Sequence, residues 1–163
     1  MNLNRALILR DILQSDLAIF FDQQLDEEAN YMAAFTAKDP TNREAFSAHW
    51  KRIMSDSTVV IKTIVIDGKI AGSVSSYEED GNPEVSYWFG KEFWGNGICT
   101  DALDLFLNEH QFKRPIYARV AKDNLRSHRV LEKCGFQVID EMKGFANARG
   151  QEIEELLLEL TKS

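Results

Sequence analysis

Two glycines at a predicted strand-to-helix junction are the residues in this sequence best suited to hold an anion. Gly95 and Gly97 flank Asn96, shortly after the aromatic run at residues 87–89 and just before an amphipathic segment. Glycines remove Cβ atoms where the chain turns, so backbone N–H groups can converge on a phosphate. A helix beginning there would add the positive end of its dipole. The spacing predicts a phosphate-binding loop over residues 95–100, although a bare Gly-x-Gly is also typical of an ordinary tight turn.

A second polar pair stands at the start of a predicted helix over residues 125–134. Asn124 is placed to cap this helix, and Ser127 follows one turn later, so both side chains reach the same edge. A capping asparagine that also faces a cleft can hydrogen-bond an amide-bearing ligand. Taken alone, the segment is also consistent with a capped helix, ended by Gly135, that binds nothing.

The elements that must position these residues alternate in character along the chain. Apolar residues at 98, 102, 105 and 106 lie on one face of a helix, whereas residues 59–66 are β-branched and precede a two-residue hairpin signal, Asp67-Gly68. The pattern predicts a mixed α/β fold in the order β-α-α-α-β-β-β-α-β-α-β-β. The predicted strands are 6–10, 59–66, 70–77, 84–89, 115–121, 136–142 and 153–160; the helices are 16–25, 27–35, one capped by Thr41 or Asn42, 98–110 and 125–134.

Composition restricts the class of protein. A chain of 163 residues with 44% hydrophobic and 28% charged residues predicts one globular domain over residues 1–163. No apolar run approaches the length of a membrane span, and the first residues lack a signal-peptide core, so we expect a soluble cytoplasmic protein that binds no membrane. A net charge of −7 disfavours nucleic acid and favours a cationic substrate such as an amine. Cys99 and Cys134 suggest neither a disulfide framework nor a metal site.

Both polar segments resemble motifs of the GNAT superfamily of acyl-CoA-dependent N-acetyltransferases. Residues 94–99, Trp-Gly-Asn-Gly-Ile-Cys, are similar to the family's pyrophosphate loop, Q/R-x-x-G-x-G/A. Residues 124–136 resemble its N-x-x-S-x-x-x-x-E-K-x-G-F segment. The aromatic strand at 87–89 and the helix end at 132–136 look most like the branch that contains the ribosomal-protein alanine N-acetyltransferases. The resemblance implies a mostly antiparallel, twisted sheet of about seven strands, splayed between strands 4 and 5, with flanking helices.

The resemblance also implies acetyl-CoA as co-substrate, a primary amine as acceptor, no metal, and a monomer or homodimer. Strand residues would pair with the pantetheine arm, loop amides would hold the pyrophosphate, and the residues of the capped helix would contact the cofactor from the opposite wall. A backbone N–H near Phe89 would polarise the acetyl carbonyl, which the amine attacks directly while both substrates are bound. The implied cofactor-binding residues are Tyr87, Trp88, Phe89, Gly95, Asn96, Gly97, Ile98, Cys99, Thr100, Asn124 and Ser127.

Four features depart from the family pattern. Trp94 replaces the usual Gln or Arg, which removes a polar contact of the loop, and Cys99 occupies the Gly/Ala position, where a buried thiol is expected rather than a nucleophile. Some relatives carry a Glu in the second splayed strand, where this chain has Arg119. The region in which many relatives place a tyrosine acid offers only Val130 and Leu131. The family's familiar acid and base are therefore missing.

Three residues are candidate proton carriers, Glu84, Tyr87 and Ser127, and a chain of water molecules is an alternative base. Each residue also has a plain structural interpretation, as a solvated strand start, a core residue and a helix or cofactor contact respectively. On the acceptor side we consider an acidic cluster and an apolar wall, made by Asp26, Glu27 and Glu28 and by Met32, Phe35 and Phe145.

Three functions stay open at this point. The first is an acetyl-CoA-dependent N-acetyltransferase acting on a small-molecule amine or a protein N-terminus. The second is a module that binds acyl-CoA with little or no turnover, which the missing acid and base motivate. The third is a nucleotide-binding domain of different chemistry that uses the 95–100 loop.

Overall fold

A seven-stranded sheet with helices on both faces forms the molecule. The structure, a computed structural model, describes residues 6–162; residues 1–5 and 163 of the predicted single domain lie outside this range. The order of elements is the predicted one, which confirms the mixed α/β fold class. The strands are β1 Leu7–Asp11, β2 Val60–Ile66, β3 Lys69–Glu79, β4 Asn82–Phe89, β5 Ile116–Ala121, β6 Gln137–Ala146 and β7 Gln151–Leu160; the helices are α1 Asp16–Gln23, α2 Glu27–Ala33, α3 Arg43–Ser55, α4 Ile98–Glu109 and α5 Leu125–Lys133, with a 3-10 turn at Lys91–Phe93.

The sheet is interrupted between its two central strands. The strand order is β1-β2-β3-β4-β5-β7-β6, and all neighbours are antiparallel except β4 and β5. Within residues 6–162, these two parallel strands are paired only at Glu84 and Tyr117. Beyond that pair the strands diverge, as the resemblance predicted, so the later parts of β4 and β5 border a gap.

Strand alternation gives the two faces of the sheet different partners. Val85 and Phe89 of β4 belong to the main core with residues of α4 and α5, such as Phe106 and Leu131, which are almost fully buried. The other face lies under α1, α2 and α3, where Thr63 of β2 donates a hydrogen bond of 2.7 Å to the carboxylate of Asp16. The gap therefore connects two differently covered faces.

Helix capping explains most of the element boundaries. Asn42, rather than Thr41, caps α3 by accepting the Ala45 N–H at 3.0 Å. Such a cap contributes about 1 kcal/mol. At the start of α1 the Ser15 side chain makes no cap hydrogen bond, and the buried carboxylate of Asp16 accepts the Leu13 N–H at 2.9 Å.

Two boundaries differ from the sequence prediction for backbone reasons. Strand β4 begins at Asn82 rather than at residue 84, because Asp80 and Gly81, which both have positive φ, complete the turn; Pro83 pairs with Glu78 inside the β3–β4 ladder. Helix α2 ends at Ala33 instead of residue 35, since Ala34 adopts a φ of 67° that cannot continue a right-handed helix.

Among residues 6–162, no helix combines the length and the apolar character needed to cross a membrane.

Candidate active site

A cavity of about 680 Å³ lies where β4 and β5 part. Its floor is formed by the facing ends of β3, β4 and β5, and its roof by helices α1, α2 and α3. At one end it reaches the N-terminal turn of α5 and the start of α4, through Ser127 and Cys99. Because the gap passes through the sheet, side chains from both faces line one continuous space.

The wall next to α5 carries two neutral hydroxyl groups. Tyr87 faces α5, and its phenol oxygen lies 2.6 Å from Ser127 Oγ, so either hydroxyl can donate to the other. Burial raises the pKa of Tyr87 above its usual range, and the hydrogen bond with Ser127 only partly offsets this effect. The phenol therefore keeps its proton near neutral pH. Two of the predicted proton carriers thus form one hydrogen-bonded pair that can donate a proton.

The opposite wall is charged. Glu84 is only 6% exposed, so its interpretation as a solvated strand start is wrong. Its Oε2 accepts the hydroxyl of Tyr77 at 2.5 Å, and its Oε1 accepts Arg119 Nε at 3.0 Å. This pairing raises the pKa of the Arg119 guanidinium, while burial raises that of the Tyr77 phenol. Both carboxylate oxygens of Glu84 are therefore engaged, which suits an anchor for Arg119 better than a mobile proton carrier.

Glu155 of β7 is a second buried carboxylate on this wall, and the sequence analysis missed it. It is 9% exposed, lines the cavity, and has its Oε1 3.9 Å from Arg119 Nη1, longer than a hydrogen bond. Burial raises the pKa of Glu155, Arg119 opposes the shift, and the charge of Glu84 adds to it. The available signal was strand alternation, which places residues 155, 157 and 159 of β7 on the face of Arg119.

The glycine loop has the geometry of an anion site. Gly95 and Gly97 both have a φ of 82°, and a Cβ on either would meet no atom within 4 Å. Gly97 precedes α4 without a side-chain cap, although Asn96 Oδ1 accepts the Ile98 N–H at 3.4 Å. A helix leaves the N–H groups of its first turn without intrahelical acceptors. The loop is thus an exposed, open bend at the positive end of α4, which can hold a phosphate.

Trp94 and Arg126 hold this loop against the end of β4. The indole N–H of Trp94 donates to the Phe89 carbonyl at 3.1 Å, so this departure from the family pattern replaces a polar side chain with a bond inside the loop. Arg126 of α5 lies over the Trp94 ring, with Cζ 4.6 Å from its centroid, and lines the cavity. Arg126 is not among the site residues predicted from the sequence, and it brings a positive charge near the loop.

The predicted cofactor-binding residues fall into two groups. One group lines the cavity: Tyr87, Trp88, Phe89, Cys99, Asn124 and Ser127. The other group, Gly95, Asn96, Gly97, Ile98 and Thr100, lies next to Trp94 and Cys99 but outside the cavity lining.

Within these groups, three side chains have structural roles. Ile98 is buried in the core, so only its backbone faces the loop. Asn124 Oδ1 accepts the Ser127 N–H at 3.3 Å and caps α5. Burial raises the pKa of the Cys99 thiol to about 12, which argues against a thiolate nucleophile.

The predicted acceptor residues are only partly brought together. Asp26 caps α2 by accepting the Ala29 N–H, Glu28 pairs with Lys91 at 2.6 Å, and neither they nor Glu27 line the cavity, so the acidic cluster is not part of this site. Met32 and Phe35 do line the cavity, whereas Phe145 is 61% exposed and lies outside the lining.

Among residues 6–162, no group of three or more His, Cys, Asp or Glu side chains could hold a metal ion.

Proteins similar to this chain in sequence or in structure include acetyltransferases. A Bacillus subtilis protein, YdaF, whose name assigns it provisionally to the ribosomal N-acetyltransferases, is 31% identical over 113 residues; the match spans 63% of this chain and 61% of YdaF. The solved structure of RimL, a ribosomal L7/L12 alpha-N-protein acetyltransferase in complex with coenzyme A, superposes with a TM-score of 0.80 at 18% identity, covering 96% of this chain and 94% of RimL.

A spermidine N-acetyltransferase from Vibrio cholerae, solved with coenzyme A and spermine, superposes with a TM-score of 0.76 at 17% identity, covering 94% of this chain and 95% of that enzyme. These two structural matches support the fold. The family model for the acetyltransferase (GNAT) domain matches residues 6–137, which contain the gap, the glycine loop and the capped helix α5. The chain therefore belongs to the GNAT acetyltransferase family.

Proposed function

We propose that this chain is an acetyl-CoA-dependent N-acetyltransferase acting on a primary amine, either a small-molecule amine or a protein N-terminus. The observation that carries the proposal is the gap between β4 and β5, whose cavity has a proton-donating wall at Tyr87 and Ser127 and a charged wall at Arg119 and Glu155. Membership of the GNAT family supports it. A cytoplasmic location and a monomeric or homodimeric state stay predictions.

The residues present fit acetyl-CoA, which would supply an acetyl group activated as a thioester. Gly95 and Gly97 leave open space at the N-terminus of α4, and Arg126 adds positive charge beside the loop. Because β4 lacks a strand partner beyond Glu84 on the β5 side, its edge at residues 87–89 can pair with an extended arm, although the Phe89 carbonyl already accepts the Trp94 indole N–H. These features support the cofactor-binding set as a proposal, with the backbone rather than the side chain contributing at Ile98.

The protein's own groups then have separate tasks in a direct transfer between two bound substrates. The amine nitrogen forms a bond to the acetyl carbon, and the carbon–sulfur bond breaks. The Tyr87–Ser127 pair donates a proton to the departing sulfur, because burial keeps the phenol protonated. A backbone N–H near Phe89 stabilises the negative charge that develops on the carbonyl oxygen. Glu84 holds Arg119 in place by accepting a hydrogen bond from its Nε.

The charge of the second wall favours a cationic acceptor. Glu84 and Glu155 place two carboxylates around the single guanidinium of Arg119. When both carboxylates are ionised, this group carries one net negative charge, which attracts an ammonium group. The names of RimL and of the Vibrio cholerae enzyme describe a protein α-amine and a polyamine as acceptors, and both are cationic near neutral pH. Both acceptor classes therefore belong in the first assay.

One observation favours the second candidate function, an acyl-CoA-binding module with little turnover. Both carboxylate oxygens of Glu84 are engaged, so this predicted proton carrier has no free oxygen to receive the amine proton. If no other group removes the amine proton, binding would occur without efficient transfer.

An acetylation assay with matched binding measurements tests the proposal. Purified protein is incubated with acetyl-CoA and with peptides bearing free N-termini, polyamines or simple primary amines, and free CoA thiol is measured. We expect amine-dependent thiol release with at least one class, and thermal stabilisation by CoA. Stabilisation by CoA without release for any amine would support the binding module. Stabilisation by ATP or NAD but not by CoA would overturn both.

A further inference from the structure

The charged wall leaves one carboxylate incompletely paired. Glu84 receives hydrogen bonds on both oxygens, whereas the nearest cation to Glu155 is 3.9 Å from its Oε1. Arg119 Nη1 also lies 3.1 Å from Met142 Sδ, a weak acceptor, so its donors are shared among several groups. Glu155 is therefore the carboxylate on this wall with the most hydrogen-bonding capacity left for a ligand.

The surroundings of Glu155 leave space on the cavity side. Beside it on β6, Gly144 has no side chain; a Cβ there would lie 3.2 Å from the Phe35 ring and 3.7 Å from Glu155 Oε1. Phe35 and Glu155 both line the cavity. A side chain at position 144 would therefore crowd the region between Phe35 and Glu155, and Gly144 leaves this part of the cavity wall open.

The strand register shows on which face of the sheet Glu155 lies and where it stands relative to β4. Starting from the pair Glu84–Tyr117, two parallel strands bring residue 88 of β4 level with residue 121 of β5, which pairs with Glu155 of β7. Glu155 therefore lies on the α1–α3 face, across the gap from the later part of β4. The proposed proton donors Tyr87 and Ser127 line the same cavity from the α5 side.

From this placement we infer that Glu155 is the general base of the proposed transfer, accepting a proton from the acceptor ammonium. This inference rests on the proposed function. An ammonium acceptor loses two protons on becoming an amide. Glu155 takes the first proton and releases it to solvent, which frees the nitrogen lone pair for the acetyl carbon. The second proton, lost after the nitrogen–carbon bond forms, balances the one that the Tyr87–Ser127 pair gives to sulfur.

The groups around Glu155 set its protonation behaviour. Burial and the negative charge of Glu84 raise the pKa of Glu155, and Arg119 lowers it. On the roof of the cavity, burial and Arg52 lower the pKa of His49. Tyr77 stays neutral because its pKa is raised. A carboxyl with a raised pKa is a stronger base for an ammonium proton than an exposed one.

The test compares Glu155→Gln and Glu155→Asp with the wild type. Glutamine keeps the size of the side chain but cannot accept the proton, so we expect kcat to fall about 100-fold. The fall of kcat/KM at acid pH in the wild type should disappear in Glu155→Gln, while the KM for acetyl-CoA and the stabilisation by CoA stay unchanged. Glu155→Asp keeps a carboxylate and should restore part of the rate. A purely structural role would not change the pH profile in this way.

A matched control is available on the same strand. Glu154 is the neighbouring residue, points to the other face, and pairs with Lys122 at 2.8 Å. Glu154→Gln should leave kcat and the pH profile unchanged. Acceptor amines that are already neutral at the assay pH should lose less rate in Glu155→Gln than ammonium acceptors do, and this comparison stays informative even if the variant is less stable.

Failure of this inference is distinct from failure of the proposed function. A wild-type protein that acetylates no amine would refute the proposed function itself. A wild-type protein that acetylates an amine, with Glu155→Gln retaining kcat within about threefold and the same acid limb, would refute only the role of Glu155.

Discussion

The two walls of the cavity differ in charge although they border the same gap. On the α5 side, Tyr87 and Ser127 form a neutral hydroxyl pair; on the α1–α3 side, Glu84, Arg119 and Glu155 are ionisable side chains. The difference arises from strand alternation, because Glu84 and Tyr87 are three residues apart on β4 and face opposite sides of the sheet.

The difference in charge between the walls shows how one sheet can keep two proton transfers apart. A group that donates a proton to sulfur must stay protonated, and burial against the apolar core does this for Tyr87 by raising its pKa. A group that accepts a proton from an ammonium must be negative, and Arg119 opposes the rise in the pKa of Glu155 that burial causes. The gap in the sheet gives both groups access to one reaction centre.

The largest expected effect comes from removing the hydroxyls of the neutral wall. The double variant Tyr87→Phe with Ser127→Ala should lower kcat about 100-fold, because the departing sulfur loses its proton donor. Since the pKa of Tyr87 is raised, the wild-type rate should show no alkaline decline from this residue below about pH 10. Steady-state kinetics across pH measure both effects.

Tyr117→Phe provides the control for this variant. Tyr117 carries a phenol on β5 that bonds with Glu159, outside the cavity lining, so its removal should leave kcat unchanged. Equal rate losses in the control and the double variant would show that the hydroxyl pair has no special role.

The difference between the walls also marks what could be predicted from the sequence. The neutral wall belongs to local patterns: the Asn124 cap, Ser127 one turn later, and the alternation of β4 that contains Tyr87. Such short-range patterns gave the element order and most of the cofactor-binding candidates. They could not show that Tyr87 and Ser127, 40 residues apart, lie within hydrogen-bonding distance.

The charged wall depends on contacts between distant strands, which no local pattern reveals. Glu84, Arg119 and Glu155 come from β4, β5 and β7, so their meeting requires the strand order and register. For Asp26 the local pattern was misleading, because its position in an acidic run suggested that it attracts the substrate. Such a run also typically begins a helix, and Asp26 caps α2.

The second prediction concerns the cation of the charged wall. Arg119→Met removes the charge that lowers the pKa of Glu155, so the acid limb of kcat/KM should move to higher pH. The fold should also lose about 2 kcal/mol, because the buried carboxylate of Glu84 loses a charged hydrogen bond. pH–rate profiles and denaturant unfolding measure these changes. As a control, Lys122→Met removes an exposed cation that has two carboxylate partners, and it should change neither the acid limb nor the free energy of unfolding. An unchanged acid limb in Arg119→Met would show that Arg119 does not influence the proton transfer.

The third prediction tests whether the loop acts independently of both walls. Gly97→Val places a side chain in the open space of the loop and in a backbone conformation that disfavours it, so the Kd for CoA should rise about tenfold or more. The acid limb should stay in place, since Glu155 is untouched. Gly81→Val has a nearly identical φ of 83° in the β3–β4 turn and the same open surroundings, so it controls for backbone strain. Calorimetric titration with CoA measures the affinity of each variant. Equal affinities for CoA in the two variants would show that this loop does not bind the phosphate.

The smallest expected effect is on stability, and its sign best distinguishes Glu155 from its neighbour Glu154 on β7. Because the pKa of Glu155 is higher in the folded than in the unfolded state, ionisation destabilises the fold, and this cost appears as pH rises through the unfolded pKa. Glu155→Gln has no such cost, so its melting temperature relative to the wild type should increase between pH 4 and 7. For Glu154, Lys122 lowers the pKa, so Glu154→Gln should show the opposite trend, weakened by exposure. Thermal unfolding of both variants across this range measures the difference, and parallel curves would mean that the burial of Glu155 carries no electrostatic cost for catalysis to exploit.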